Sequence, residues 1–250
     1  MRTIKLTISY DGCGYVGWQM QPNGNSIQAE LARAIKRMTG EGSVPVGAGR
    51  TDAGVHALAQ VASFATESPI PCDGFVHGLN SLLPSTIAVL FAEEVSQGFD
   101  ARRDARGKVY RYDVLRSAVR LPLFEGRAWQ MRGALDLAAM RESALLLVGK
   151  HDFESFRASG CAAMHAVRTI QRIDVSISET TGGQGELLSL TFEGDGFVRH
   201  MIRNIVGTLV NVGQGKLLPG DIQRILEARQ RKEAGVCAPA CGLYLVRVLY

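Results

Sequence analysis

The stretch Ile4-Lys5-Leu6-Thr7-Ile8-Ser9-Tyr10 alternates apolar and polar residues with a period of two. That is the pattern of a strand with one buried and one wet face, and it opens an ordered series of elements. A Gly-rich stretch follows, expected to be a flexible loop. Asn25 then opens a helix whose apolar residues Ile27, Leu31, Ile35 and Met38 fall on one stripe, with Gly40 as its stop. Strand-like segments at 44–48 and 59–65 flank the loop Gly49-Arg50-Thr51-Asp52-Ala53-Gly54-Val55-His56. A second helix is expected over 71–83, stopped by Pro84, and a further strand over 86–95. The order is β-α-β-β-α-β, the ferredoxin-like arrangement.

The remainder of the chain reads in a similar grammar. Strands are expected at 108–115, 167–177 and 187–193, helices at 134–148, 197–212 and 221–229, and a closing strand at 243–249. No sequence self-similarity links the two parts, so the repeat is one of element order only. The expectation is an α+β protein of two ferredoxin-like halves, 1–104 and 105–250, packed side by side. Together they would form one extended mixed or antiparallel sheet flanked by helices, with the cleft between them as the natural site.

Composition sets bounds on function. The 250 residues are 46% hydrophobic and 21% charged, as in an ordinary globular chain and unlike a disordered one. No apolar run is long enough to span a bilayer, and the start of the chain lacks the apolar core of a signal peptide, so a cytoplasmic protein with no membrane partner is expected. The five cysteines are odd in number and irregularly spaced, which suits reduced thiols. The five histidines show no metal-ligand spacing, so no metal site is expected. A net charge of +4 permits an anionic partner without demanding one.

Four segments are candidates for chemistry. Gly12-Cys13-Gly14-Tyr15-Val16-Gly17 is a literal G-x-G-x-x-G after a strand, but seven residues separate it from the next helix, so it is not read as a dinucleotide cradle. Asp52 sits between glycines on a short inter-strand loop, either as a turn-capping residue or as a reactive carboxylate. Arg102, Arg103, Arg106 and Lys108 lead into Tyr110-Arg111-Tyr112, where Lys108, Tyr110 and Tyr112 share one strand face. Interleaved cations and rings suit RNA, with charge for phosphates and rings for unstacked bases; a solvated strand over aromatic packing is the plain alternative. Arg199 and Arg203, four residues apart in an apolar run, should share a helix face, and at least one should need an anionic partner, for which Asp52 is a candidate. A second basic group (Arg224, Arg229, Arg231, Lys232) lies on the expected C-terminal helix.

Taken together, the chain from Tyr10 onward resembles the tRNA pseudouridine synthase A family. The likeness rests on Tyr10-Asp11-Gly12, Gly17-Trp18-Gln19, the Gly49–Ala57 motif with Asp52 at its centre, Leu79-Asn80 and Leu83-Pro84, and Phe99-Asp100-Ala101-Arg102. It continues through Tyr110-Arg111-Tyr112, His151-Asp152-Phe153, Ser155-Phe156, Met201-Ile202-Arg203-Asn204 with Gly207, Ala238-Pro239-Ala240 and Gly242-Leu243-Tyr244-Leu245.

The resemblance implies the pseudouridine synthase fold and an isomerase that converts uridine to pseudouridine at positions 38, 39 and 40 of the tRNA anticodon stem-loop. It further implies a homodimer that uses no cofactor, nucleotide or metal. By the same likeness Asp52 is the essential carboxylate, acting by covalent attack on base or sugar, or as a base on the sugar. Arg203 would pair with Asp52 and keep it ionised. Tyr110 would stack on the target uracil, Leu245 would line the substrate, and Arg50 would enter the stem to hold the flipped base outside it. Arg102, Arg103, Arg106 and Lys108 are the expected RNA contacts. Two other classes compete: a non-catalytic RNA-binding ferredoxin-like module, in which Asp52 is a turn residue, and a nucleotide-dependent enzyme using Gly12–Gly17.

Overall fold

Strand β1 (Arg2–Tyr10) buries Ile4, Leu6, Ile8 and Tyr10 on alternate positions, as the period of two requires. Its other face is covered too, because the Lys5 ammonium lies 4.7 Å from the Tyr250 ring centre and 2.9 Å from a Glu93 carboxylate oxygen. The structure, a computed structural model, describes residues 1–180 and 182–250. After β1 come α1 (Ile27–Thr39), β2 (Val46–Gly47), β3 (His56–Thr66), α2 (Cys72–Leu82) and β4 (Ile87–Val95). Then follow β5 (Gly107–Arg116), β6 (Trp129–Met131), α3 (Leu137–Leu145), β7 (Gly149–Asp152), β8 (Val167–Glu179), β9 (Glu186–Gly194), α4 (Met201–Gly213), α5 (Asp221–Ala228) and β10 (Leu243–Leu249). Among the described residues no helix is long and apolar enough to cross a membrane.

The chain divides into two compact units, Met1–Lys108 with Tyr244–Tyr250, and Val109–Leu243. The first unit carries the ferredoxin-like order. Its strands run β4-β1-β3 with β2 on the far side of β3, and β1 is antiparallel to both its neighbours. Helix α1 buries Ile27, Leu31, Ala34 and Ile35 on one stripe. Ser26, rather than Asn25, is its cap: the Ala29 N–H donates to Ser26 Oγ (3.3 Å), and Gly40 closes the helix in the left-handed region at φ 77°. Phe75 of α2 meets Phe64 of β3 edge to face, with ring centres 5.6 Å apart.

Two strand expectations shift for physical reasons. β2 shrinks to two residues because Pro45, which has no N–H to give a ladder, precedes it. β3 begins three residues early because its start finds a distant partner: β10 runs parallel to it, pairing Tyr244 with His56 and Leu245 with Ala57. The last strand therefore belongs to the first unit and closes no second β-α-β-β-α-β repeat.

The second unit has strand order β5-β9-β8-β7, with β6 parallel to β5, so its sheet is mixed. Neither β6 nor β7 is foreseen from the sequence, since Trp129-Gln130-Met131 and Gly149-Lys150-His151-Asp152 are too short and too polar to show a period. The helix expected from residue 197 starts at Met201, because His200 takes a left-handed conformation (φ 61°) that no α-helix can contain. Arg199 is thus exposed ahead of the helix and does not share a face with Arg203.

The end of β1 fixes the start of the site. The Tyr10 side chain is buried, its hydroxyl lies 2.8 Å from Thr51 Oγ1, and burial pushes its phenol up to about 12. The unfolded chain releases this proton near the usual tyrosine value of about 10 and the folded chain only near 12, so stability falls as pH rises through that window. We expect urea melts to show a loss of roughly 2–3 kcal/mol from Tyr10 between about pH 9 and pH 12. Tyr10→Phe should remove that component of the slope while costing about 1 kcal/mol at neutral pH through the lost hydrogen bond. Identical slopes in the two proteins would show that Tyr10 ionises in the folded state as it does in water.

Candidate active site

Asp52 lies half-buried on the loop between β2 and β3. The carbonyl of Asp52 accepts the Val55 N–H (3.1 Å), and Gly54, at φ 76°, supplies the left-handed residue this tight turn needs. Before it, the Thr51 side chain is held by Tyr10 and the Thr51 carbonyl accepts the Trp18 N–H at 3.0 Å. Gln60 Nε2 donates to the Gly49 carbonyl at 2.9 Å. The loop is therefore tied from β1, from β3 and from the Gly-rich segment at once.

That segment is not the flexible loop expected. Trp18 is buried, and backbone hydrogen bonds join Val16 to Asn25, Ile27 to Gly17 and Gln28 to Trp18. Two of its glycines serve close approach. A Cβ at Gly12 would overlap the Val55 carbonyl oxygen, and one at Gly17, where φ is 105°, would sit 2.5 Å from the Thr51 carbonyl oxygen. Gly12 and Gly17, two of the three glycines that imitate a dinucleotide motif, let one backbone lie on another, directly beside Asp52. His56, directly after the turn, accepts the Gly12 N–H on Nδ1 (3.1 Å) and stacks on Tyr244 with ring centres 4.7 Å apart. Sequence spacing missed Tyr10, Thr51, His56 and Tyr244 as supports, because each partner lies tens to hundreds of residues away and no local pattern joins them.

The other residues expected in the first unit are placed as follows. Arg50 is exposed on the Asp52 loop. Leu245 is fully buried on β10 beside Ala57. Lys108 lies along Gly49, where an added Cβ would come within 3.0 Å of its Cε. Arg102 and Arg106 are exposed, whereas Arg103 bends back, donating to the Gly98 carbonyl at 2.6 Å and pairing with Asp104 at 3.3 Å.

In the second unit, Tyr110 on β5 is buried with its ring edge-to-face on Phe197, ring centres 5.4 Å apart. Tyr112 cannot serve as a base platform. Its ring is fully buried and its hydroxyl donates to the Pro239 carbonyl at 2.7 Å; burial pushes its phenol well above the usual range. Arg203 is half-buried on α4 and exchanges two bonds with Ala238: its Nε donates to the Ala238 carbonyl (2.7 Å), and the Ala238 N–H donates to the Arg203 carbonyl (3.1 Å). Between Arg111 (3.0 Å) and the Ser189 hydroxyl (2.7 Å) sits the buried Asp113 carboxyl, which burial raises above the usual carboxylate range while both partners oppose that shift. The second basic group is largely spent within the fold. Arg224 pairs with Asp221 and Glu233, Arg229 with Asp152, and Arg231 with the Asn204 side chain.

The profile of a family described as tRNA pseudouridine synthase matches residues 6–102 and 144–250. Over 250 residues, covering all of both chains, the protein is 48% identical to the tRNA pseudouridine synthase A of Pelobacter propionicus. It is 46% identical to that of Geobacter sulfurreducens, again covering all of both chains. With the synthase of Myxococcus xanthus the identity is 46%, over all of this chain and 92% of the relative. The relatives span residues 103–143, which the profile leaves out, so the likeness is continuous through β5. A clamped carboxylate loop inside a match of this length places the chain in the tRNA pseudouridine synthase family.

Proposed function

We propose that this chain isomerises uridine to pseudouridine at positions 38, 39 and 40 of the tRNA anticodon stem-loop, with Asp52 as the reacting carboxylate. The observation that carries the reading is the Asp52 loop, held from three sides, in a chain 48% identical along its whole length to a tRNA pseudouridine synthase A. In the reaction the N1–C1′ bond breaks, the uracil turns in place and C5 bonds to C1′. The C5 proton then leaves and N1 takes one up. Nothing is oxidised or hydrolysed, so the work is that of one carboxylate and of positioning.

A stacked base hides C1′ and C5, so the target nucleotide must leave the stem. Arg50, exposed two residues before Asp52, suits the space the base vacates. Tyr110 and Arg203 act on the uracil, Tyr110 by stacking and Arg203 through its guanidinium, while Leu245, fully buried beside Ala57, shapes the substrate side only from within the fold. Arg102, Arg103, Arg106 and Lys108 hold phosphates. A stem-loop is wide relative to a 27.0 kDa chain, so two copies grip one tRNA, in the cytoplasm.

Two measurements test this. With tRNA tritiated at uridine C5, the wild type should release tritium, and Asp52→Asn should lower single-turnover release by at least about a thousandfold with tRNA affinity preserved. Substantial turnover by that variant would remove Asp52 from the chemistry. Second, log affinity should fall linearly with log salt, and the Arg102→Ala/Arg106→Ala double variant should flatten the slope by about 2. An unchanged slope would move the RNA surface elsewhere.

A further inference from the structure

We propose that Asp11, Cys13 and His56 form a site for a divalent zinc ion, where the segment around Gly12 meets the start of β3. One ligand atom from each of the three residues lies within 4.8 Å of the other two. Asp11 and Cys13 flank Gly12 on one loop, and His56 opens β3 far along the chain, so no spacing rule could find the three together.

The geometry is close to what zinc takes. Zinc bonds of about 2.0–2.3 Å place tetrahedral ligand atoms roughly 3.3–3.8 Å apart. His56 Nδ1 and Asp11 Oδ1 are already 3.1 Å apart, and Cys13 is an exposed loop residue whose thiol can close the remaining gap by rotation. The two neighbours of that nitrogen ask opposite things of it. The Gly12 N–H needs a lone pair there, whereas the Asp11 carboxylate needs a proton. A cation is the partner that a lone pair and a carboxylate oxygen share, and the Gly12 N–H yields the nitrogen to it. The imidazole is oriented in advance, since its face is fixed by stacking on Tyr244.

The donor set selects the metal. A thiolate with an imidazole favours zinc over the oxygen-seeking magnesium or calcium, and three protein ligands leave a fourth position for water or another ligand. The site takes no part in the isomerisation proposed above. Its effect would be to tie the segment packed on Val55 to the first residue of β3.

Cobalt(II) is the probe, because a thiolate bound to it gives an intense near-ultraviolet band. The intact chain, reduced and freed of metal, should develop this band with one equivalent of cobalt and lose it on adding zinc. Cys13→Ser should abolish the band, and because Cys13 is exposed the variant should fold. Asp11→Asn should keep the band but weaken binding by at least about tenfold. Cys237→Ser should change nothing, although Cys237 also lies near a histidine, with Sγ 3.9 Å from His200 Nδ1. No band at one equivalent, or a band that survives Cys13→Ser, would overturn the proposal.

Discussion

Two backbones meet without side chains between them where Gly12 and Gly17 lie against Val55 and Thr51, and the geometry of the Asp52 loop follows from that contact. A loop of eight residues between two strands has many conformations, and fixing one costs roughly 1–2 kcal/mol per residue in backbone entropy. Here the cost is offset by pairing: the Trp18 N–H on the Thr51 carbonyl, the Tyr10 hydroxyl on the Thr51 side chain, and the Gln60 amide on Gly49. The carboxylate thus stands on a scaffold tied from two regular strands and from the glycine segment, which is the pre-organisation that the role proposed for Asp52 requires.

The same device recurs in the second unit. A Cβ at Gly207 of α4 would overlap the Val236 carbonyl oxygen, so the segment leading to Ala238 lies directly on the helix. That approach lets Arg203 exchange two hydrogen bonds with Ala238, while the Tyr112 hydroxyl holds Pro239. Arg203 is therefore partly a structural residue, with Nε committed to the backbone and the rest of the guanidinium fork left to its other contacts. Asp113 shows the opposite balance. Burial raises its carboxyl even with a cation and a hydroxyl beside it, so desolvation outweighs the ion pair there.

Much of the first unit could be read from the sequence because its signals are local. The alternation of β1, the stripe and Gly40 stop of α1, and the order up to β4 all depend on neighbours within a few residues. What was not legible depends on distance in the chain. β10 reads correctly as a strand, but nothing in it says that it pairs with His56 and Ala57 of β3. The expected pairing of Arg199 with Arg203 on one face fails because a single left-handed residue, His200, breaks the helical period. Tyr112 looked like a ring offered to RNA because alternation gives the face of a strand and not what covers it. Asp52 stood out through its motif, whereas its supports Tyr10, Thr51 and Trp18 became visible only in three dimensions.

The central claim is that backbone contact at Gly12, rather than chain flexibility there, holds the Asp52 loop in its working geometry. Gly12→Ala and Gly14→Ala separate the two. Gly12 needs room for the Val55 carbonyl but has no left-handed φ, whereas Gly14 has φ 81° and nothing within 4 Å of an added Cβ. Single-turnover tritium release should be measured on both folded variants. The account predicts a loss of about a hundredfold for Gly12→Ala, as misplacement of a reacting group by about 1 Å produces, and a change of only a few-fold for Gly14→Ala. A Gly12→Ala protein with the wild-type rate, or equal losses in the two variants, would contradict it.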